Sequence, residues 1–200
     1  MEKTLEEPAV AYSTLCSEAE YLAMEWEDGV KYEYWDGTLV AMAGGSVRHA
    51  EITGNIFFSV KGKMKGPRCK VFNSDLLLKL PIGNKYVLPD LLVSCNQEDL
   101  ESERFFQNPA IIVEVLSDST ELYDRTKKWE QYRRIKSLRY YLLVSQNEYL
   151  VDMYHRTHEA SLFYFQSFTN PEESILFEEM GFDIKLSEIY DGVSLPIREG

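Results

Sequence analysis

The chain has 200 residues, 44% of them hydrophobic, and a formal net charge of −12. That length and composition suit one globular domain with a full core, and no apolar run approaches the roughly 18 residues of a membrane span. An acidic total also argues against general affinity for a polyanion.

The acid is unevenly placed. Residues 1–36 carry net −8 and 171–200 net −6, whereas 37–170 carry net +2 with basic clusters at 61–70 and 125–139. Nucleic acid therefore stays open as a partner. The three cysteines, Cys16, Cys69 and Cys95, are odd in number and widely spaced, so neither a disulfide framework nor a zinc knuckle is suggested. With no basic-then-apolar leader, a reducing cytoplasm is the expected location.

In chain order, residues 1–13 show no periodicity and read as a flexible tail, with 14–200 as a single domain. Ser17-Glu-Ala-Glu20 is a capping box that opens a helix to about Glu27, with Ala19, Leu22, Ala23 and Trp26 inward. Residues 31–43 form a hairpin signal around Asp36-Gly37, a pair suited to a type I′ turn. After Gly44-Gly45-Ser46, the apolar spacing of Ile52, Ile56, Phe57, Val60 and Met64 predicts an amphipathic helix from Val47 to about Lys65, with His49 in its first turn. Cys69 to Pro81 alternates as one strand. Tyr86–Cys95 and Ala110–Ser117 read as buried strands, separated by a charged loop at Asn96–Asn108. A helix is expected over about Leu122–Lys136, a buried strand over Leu138–Ser145, and a peripheral hairpin from Glu148–His155 with Leu162–Phe168. Phe182–Tyr190 closes the chain as a short strand and helical turn. This order predicts an α/β or α+β domain on a mixed sheet.

Two of the buried strands each carry one acid, Asp90 and Glu114. Burying a lone carboxylate is costly, and two in neighbouring strands raise each other's pKa unless a cation lies between them. Carboxylate oxygens are hard ligands, and a pair on adjacent strands leaves positions for phosphate and water around Mg²⁺. The plainer alternative is two half-exposed acids satisfied by backbone donors or basic side chains. On the next helix Asp124, Lys128 and Tyr132 fall at i, i+4 and i+8, one polar stripe. There Lys128 could supply a stabilising charge beside Glu114 and Asp90, or simply form a solvent-facing pair with Asp124.

Pro89-Asp90, Val113-Glu114-Val115-Leu116-Ser117, Ser119-Thr120, Asp124, Lys128 and Tyr132 together resemble the Uma-type family of restriction endonucleases in the PD-(D/E)-x-K nuclease superfamily. Tyr32-Glu33, Asp36-Gly37, His49 and the closing Phe182–Tyr190 stretch extend the likeness to nearly the whole chain from Glu18. The resemblance implies a restriction-endonuclease-like mixed sheet flanked by helices, with N-terminal and C-terminal β-hairpins. It also implies Asp90 and Glu114 as metal ligands for Mg²⁺, with Mn²⁺ able to substitute, and DNA as the partner. One departure stands out: Leu116 occupies the place where the superfamily has its lysine, so Lys128, displaced to the next helix, is the candidate catalytic cation.

Glu33, His49 and Asp124 are additional candidates. Glu33 could be a third carboxylate or the exposed side of a hairpin, and His49 a phosphate contact or a structural residue. Asp75 reads as structural or outer-shell, and His155-x-x-His158 lacks a third zinc ligand. Two functions follow, a Mg²⁺-dependent endonuclease or a catalytically degenerate module of nuclease fold that binds nucleic acid or protein. No membrane partner is expected, and a homodimer is compatible with the sequence.

Overall fold

The computed structural model describes residues 11–12, 15–25, 30–42, 44–66, 68–73, 76–157 and 162–196. Trp26, Glu27, Asp75 and His158, on which sequence expectations fell, lie outside them.

Two six-stranded sheets form the body. The first joins β1 (Ala11–Tyr12), β3 (Thr38–Met42), β2 (Lys31–Trp35), β6 (Lys85–Val87), β5 (Leu77–Lys79) and β8 (Phe105–Phe106) in that order. β1 adds to β3 from a segment expected to be tail. The second joins β12 (Phe163–Phe168), β11 (Val151–Arg156), β10 (Tyr140–Ser145), β9 (Pro109–Leu116), β7 (Leu91–Ser94) and β4 (Lys70–Asn73). Within it β9 and β10 run parallel, and the other pairs are antiparallel. The fold is therefore α+β on mixed sheets, as the sequence predicted.

The pleat of the second sheet sorts its residues into two cores. Ile111, Val113 and Val115 of β9 pack with Ile52, Ile56 and Val60 of α2 (Val47–Lys63). The hairpin of β13 (Ser174–Phe177) and β14 (Phe182–Lys185) and helix α6 (Leu186–Ile189) close the same core. On the opposite face Ile112 and Leu116 meet Leu78 and Val87 of the first sheet, Leu80 just after β5, and the helical segment after β9. Glu114 projects toward that second side, between two apolar neighbours.

Several local expectations hold. Asp36 (φ 48°) and Gly37 (φ 102°) form the two-residue turn between β2 and β3, both in the positive-φ region that a type I′ turn needs. Ser17 caps α1 (Glu18–Ala23) in a full capping box with Glu20. That helix ends before Glu27, and its buried residue is Tyr21 rather than Ala19 or Ala23, because the ring stacks on Tyr34 at 5.0 Å. β11 and β12 form the expected peripheral hairpin.

Other expectations are corrected. The run 69–81 is two strands in different sheets, β4 and β5, and so is the run 86–95, β6 and β7. The chain crosses between sheets at Leu88-Pro89-Asp90, where proline supplies no backbone donor for a ladder. Asp90 is thus on a crossover rather than within a strand. The charged loop 96–108 contains α3 (Gln97–Glu101) and β8, organised by buried Asp99, whose carboxylate accepts from the backbone N–H groups of Gln107 and Asn108, both at 2.9 Å. Cys69 and Cys95 form a disulfide, overturning the expectation of none. Cys69 precedes Lys70 and Cys95 follows Ser94, which are paired between β4 and β7, a register that sequence separation alone does not disclose. Among the described residues no helix is long and apolar enough to cross a membrane.

Candidate active site

A cavity of about 630 Å³ opens between the N-terminus of α2, the end of β9 and the helical segment that follows it, and Asp90, Glu114, Asp124, Lys128 and His49 all line it. Glu33 lies immediately behind, fully buried.

The segment after β9 is not a uniform helix to Lys136. It comprises α4 (Glu121–Tyr123), a π-helical turn at Asp124–Lys128 and α5 (Trp129–Tyr132). The N–H of Trp129 reaches the carbonyl of Asp124, and that carbonyl also accepts from the Tyr141 hydroxyl at 3.0 Å. Wide turns of this kind recur at functional sites.

From that turn Lys128 points inward and is only 1% exposed. Its ammonium lies 3.0 Å from Glu114, 3.1 Å from Glu33 and 3.2 Å from Asp124. Burial alone would push this ammonium down, but the three carboxylates hold it well above the usual lysine range. The expectation that Lys128 lies against both Glu114 and Asp90 is met only in part, since no ion pair joins it to Asp90 among the described residues. The solvent-facing reading of Lys128 is excluded by its burial, and Lys127 is the exposed neighbour.

Glu114 is 2% exposed, and its Oε1 also accepts from the Tyr132 hydroxyl at 2.8 Å. Burial raises its pKa well above the ordinary value, against the pull of Lys128. Asp124 is shifted upward by burial as well, and its Oδ1, though near the ammonium, accepts no well-directed hydrogen bond. Glu33 accepts from Trp35 Nε1 at 3.2 Å, the Tyr123 hydroxyl at 3.0 Å and the Leu88 backbone N–H at 3.2 Å. The exposed-hairpin reading of Glu33 is therefore wrong: a polar cage was built for it.

Asp90 is held differently. Its Oδ2 accepts from the Val115 N–H at 2.7 Å and lies 3.1 Å from His49 Nε2. Burial lowers the imidazole pKa, but the hydrogen bond and charge of Asp90 outweigh it and the net shift is upward. Ser46 caps α2 by accepting from the His49 N–H at 3.1 Å, and its hydroxyl bonds Gln146, a buried side chain on the cavity wall that the sequence reading missed. His155, by contrast, lies between the rings of Tyr140 and Tyr164, and among the described residues it belongs to no metal-ligating cluster.

Whether these residues fit a divalent cation can be judged from their donor atoms. Asp90 Oδ1 and Glu114 Oε2 take no hydrogen bond from a described residue, while their sister oxygens are anchored. Four carboxylates, those of Glu33, Asp90, Glu114 and Asp124, gather around Lys128 and His49, and Lys31 also lines the cavity. Among the described residues no three His, Cys, Asp or Glu side chains form a ready-made cage. Mg²⁺ does not need one, because it commonly uses one or two carboxylates and keeps several waters. The donor set fits.

Fold and cavity together place the molecule in the class of restriction-endonuclease-like α+β proteins. Residues 18–187 match the model of the Uma2 family, described as "Putative restriction endonuclease", and the chain belongs to that family. It is 37% identical over 153 residues to the uncharacterized protein slr1290 of Synechocystis sp., covering 76% of this chain and 80% of that protein. A second uncharacterized protein of that organism, sll1609, is 31% identical over 149 residues, 74% of this chain and 84% of the relative. The crystal structure of an Anabaena variabilis protein described as "a putative nuclease belonging to DUF820" shares the fold, with a TM-score of 0.72 at 15% identity over 88% of this chain and 98% of that one.

Proposed function

We propose that this chain is a Mg²⁺-dependent endodeoxyribonuclease, with Mn²⁺ able to substitute, that hydrolyses DNA phosphodiester bonds in the cavity. The observation that carries the reading is the buried ammonium of Lys128, aimed at Glu114 from the following helix. It supplies a fixed positive charge where Leu116 cannot.

Asp90 and Glu114 would hold the metal through their unengaged oxygens, and the metal when bound would supply Lewis acidity and a lowered pKa for water. The remaining work falls to the chain itself. Lys128 favours the ionised form of Glu114 and can stabilise charge developing on phosphate oxygens. His49 and the Val115 N–H fix the orientation of Asp90, and Tyr132 does the same for Glu114. Apolar neighbours of Glu114 keep the local dielectric low, which strengthens each of these interactions.

A second reading has one observation behind it. Lys128 is held by three protein carboxylates and the Tyr123 ring, an arrangement that also satisfies a purely structural lysine in a degenerate binding module. Calorimetry with Mn²⁺ and cleavage of plasmid and oligonucleotide DNA separate the two. Asp90→Asn and Glu114→Gln are expected to abolish metal binding and cleavage while the protein stays folded. Parent-like Mn²⁺ affinity in both variants removes the site assignment. Metal binding by the parent without cleavage of any DNA supports the binding module instead.

A further inference from the structure

The cavity and a second depression lie along the seam where α2 packs on β4. On α2, His49, Thr53 and Phe57 line the cavity at successive i, i+4 positions, and Lys61, the next in that series, lines a second depression of about 320 Å³. The facing wall is β4, where Asn73 borders the cavity and Phe72, Val71 and Lys70 border the depression. Both walls therefore run from one hollow to the other. Along α2 the track from His49 to Lys61 is about 18 Å long at ~1.5 Å per residue.

The far end of the track is strongly basic. Residues 61–70 carry five bases and no acid in a chain of net charge −12. Lys63 is the exception in role, paired with Glu188 at 2.7 Å. Lys61, Lys65, Arg68 and Lys70 are all exposed, and none forms an ion pair with a described residue. Lys61 lies in the last turn of α2, and Lys65 lies just beyond its end at Lys63. The Cys69–Cys95 disulfide pins the chain between Arg68 and Lys70 to β7, so these cations sit on a fixed frame and less ordering opposes binding.

We propose that the nucleic-acid strand leaves the cavity over the α2–β4 seam, and that Lys61, Lys65, Arg68 and Lys70 bind its phosphates about 18 Å from the cavity. The proposal rests on the nuclease reading for what occupies the cavity. Charge complementarity selects the occupant: an extended polyanion of regular charge spacing matches four cations at the end of a track, in a chain whose net charge is −12.

The test measures binding of labelled single-stranded oligonucleotides of increasing length by fluorescence anisotropy in Ca²⁺ and in graded salt. It compares the parent with the variant Lys61→Ala/Lys65→Ala/Arg68→Ala/Lys70→Ala. Unchanged melting and unchanged Mn²⁺ affinity establish that the variant is folded with its cavity intact. For the parent, affinity should climb once the strand is long enough to span about 18 Å, and the slope of log affinity against log salt should steepen by about 3, from about 0.7 per phosphate contact. The variant should lose both the length gain and the added slope. A variant that keeps them overturns the proposal, as does a parent that binds polyglutamate but no oligonucleotide. If the parent shows the length gain and the variant loses it, yet the parent cleaves no short DNA in Mg²⁺ or Mn²⁺, the track stands and the nuclease reading falls.

Discussion

Replacing Lys128 by Met retains the side chain's length and deletes a charge that three buried carboxylates share. The ammonium lies 3.0, 3.1 and 3.2 Å from Glu114, Glu33 and Asp124, in a position only 1% exposed, where bulk water cannot take over. Removing one partner of a buried ion pair costs about 3–5 kcal/mol, because the other partners are left uncompensated. Against a total stability of about 5–15 kcal/mol this is large. In a chain of this size it amounts to a fall in Tm of roughly 10 °C.

The deficit should depend on pH. Glu114 and Asp124 already have pKa values raised by burial, and without the ammonium they rise further. A carboxyl group whose folded pKa lies above its unfolded value contributes its stability below the unfolded pKa and loses it as pH rises through the folded pKa. Lys128→Met should therefore be most deficient near neutral and alkaline pH and recover toward the ordinary carboxylate range. Urea unfolding followed by tryptophan fluorescence at about pH 5 and about pH 8 reads this directly, and exposed Lys127→Met is the control, expected within about 0.5 kcal/mol of the parent. A Lys128→Met protein that unfolds with the parent at the higher pH, or a deficit equal at both, refutes the account of the cluster.

Glu114→Gln should show the opposite trend. The parent loses stability as pH rises from the ordinary glutamate value through the raised one, and the amide does not, so the variant should gain on the parent between acid and neutral urea melts. Arg156 donates from Nε to the Leu138 carbonyl at 2.7 Å and from Nη2 to those of Arg133 and Ile135 at 3.0 and 2.7 Å, closing the turn after α5. Arg156→Met should lose about 2–4 kcal/mol by calorimetry, as buried carbonyls lose charge-assisted donors.

Much of the fold was legible because its signals are local. The Asp36-Gly37 turn, the 3.6-residue rhythm of α2 and the apolar runs of β9 and β10 each report a period that the backbone must obey. The divided runs were not legible, since an alternating pattern continues smoothly through a change of sheet. Only Pro89 hinted at the crossover. Glu33 illustrates a different limit. Its burial is produced by Trp35, Tyr123, the Leu88 N–H and Lys128, four partners brought together by tertiary structure. The disulfide is invisible for the same reason, because the register of β4 on β7 decides it. In the cavity, helical spacing put Asp124, Lys128 and Tyr132 on one stripe and the family resemblance turned that stripe toward Glu114, but Gln146 carries no signal in sequence.

The π turn at 124–128 has a consequence for angular phase. On a regular α-helix each residue advances about 100°, so Tyr132 would stand about 80° around the axis from Asp124. A wider turn advances less per residue and draws residues 124, 128 and 132 back toward one line. That line is the one facing Glu114: Lys128 and Tyr132 both bond its Oε1, and Asp124 flanks the same ammonium. Where a strand carries its own lysine, the two-residue pleat sets the direction of the charge. In this chain a fraction of a helical rotation sets it, and the cation can sit fourteen residues away in sequence and still arrive beside the same carboxylate.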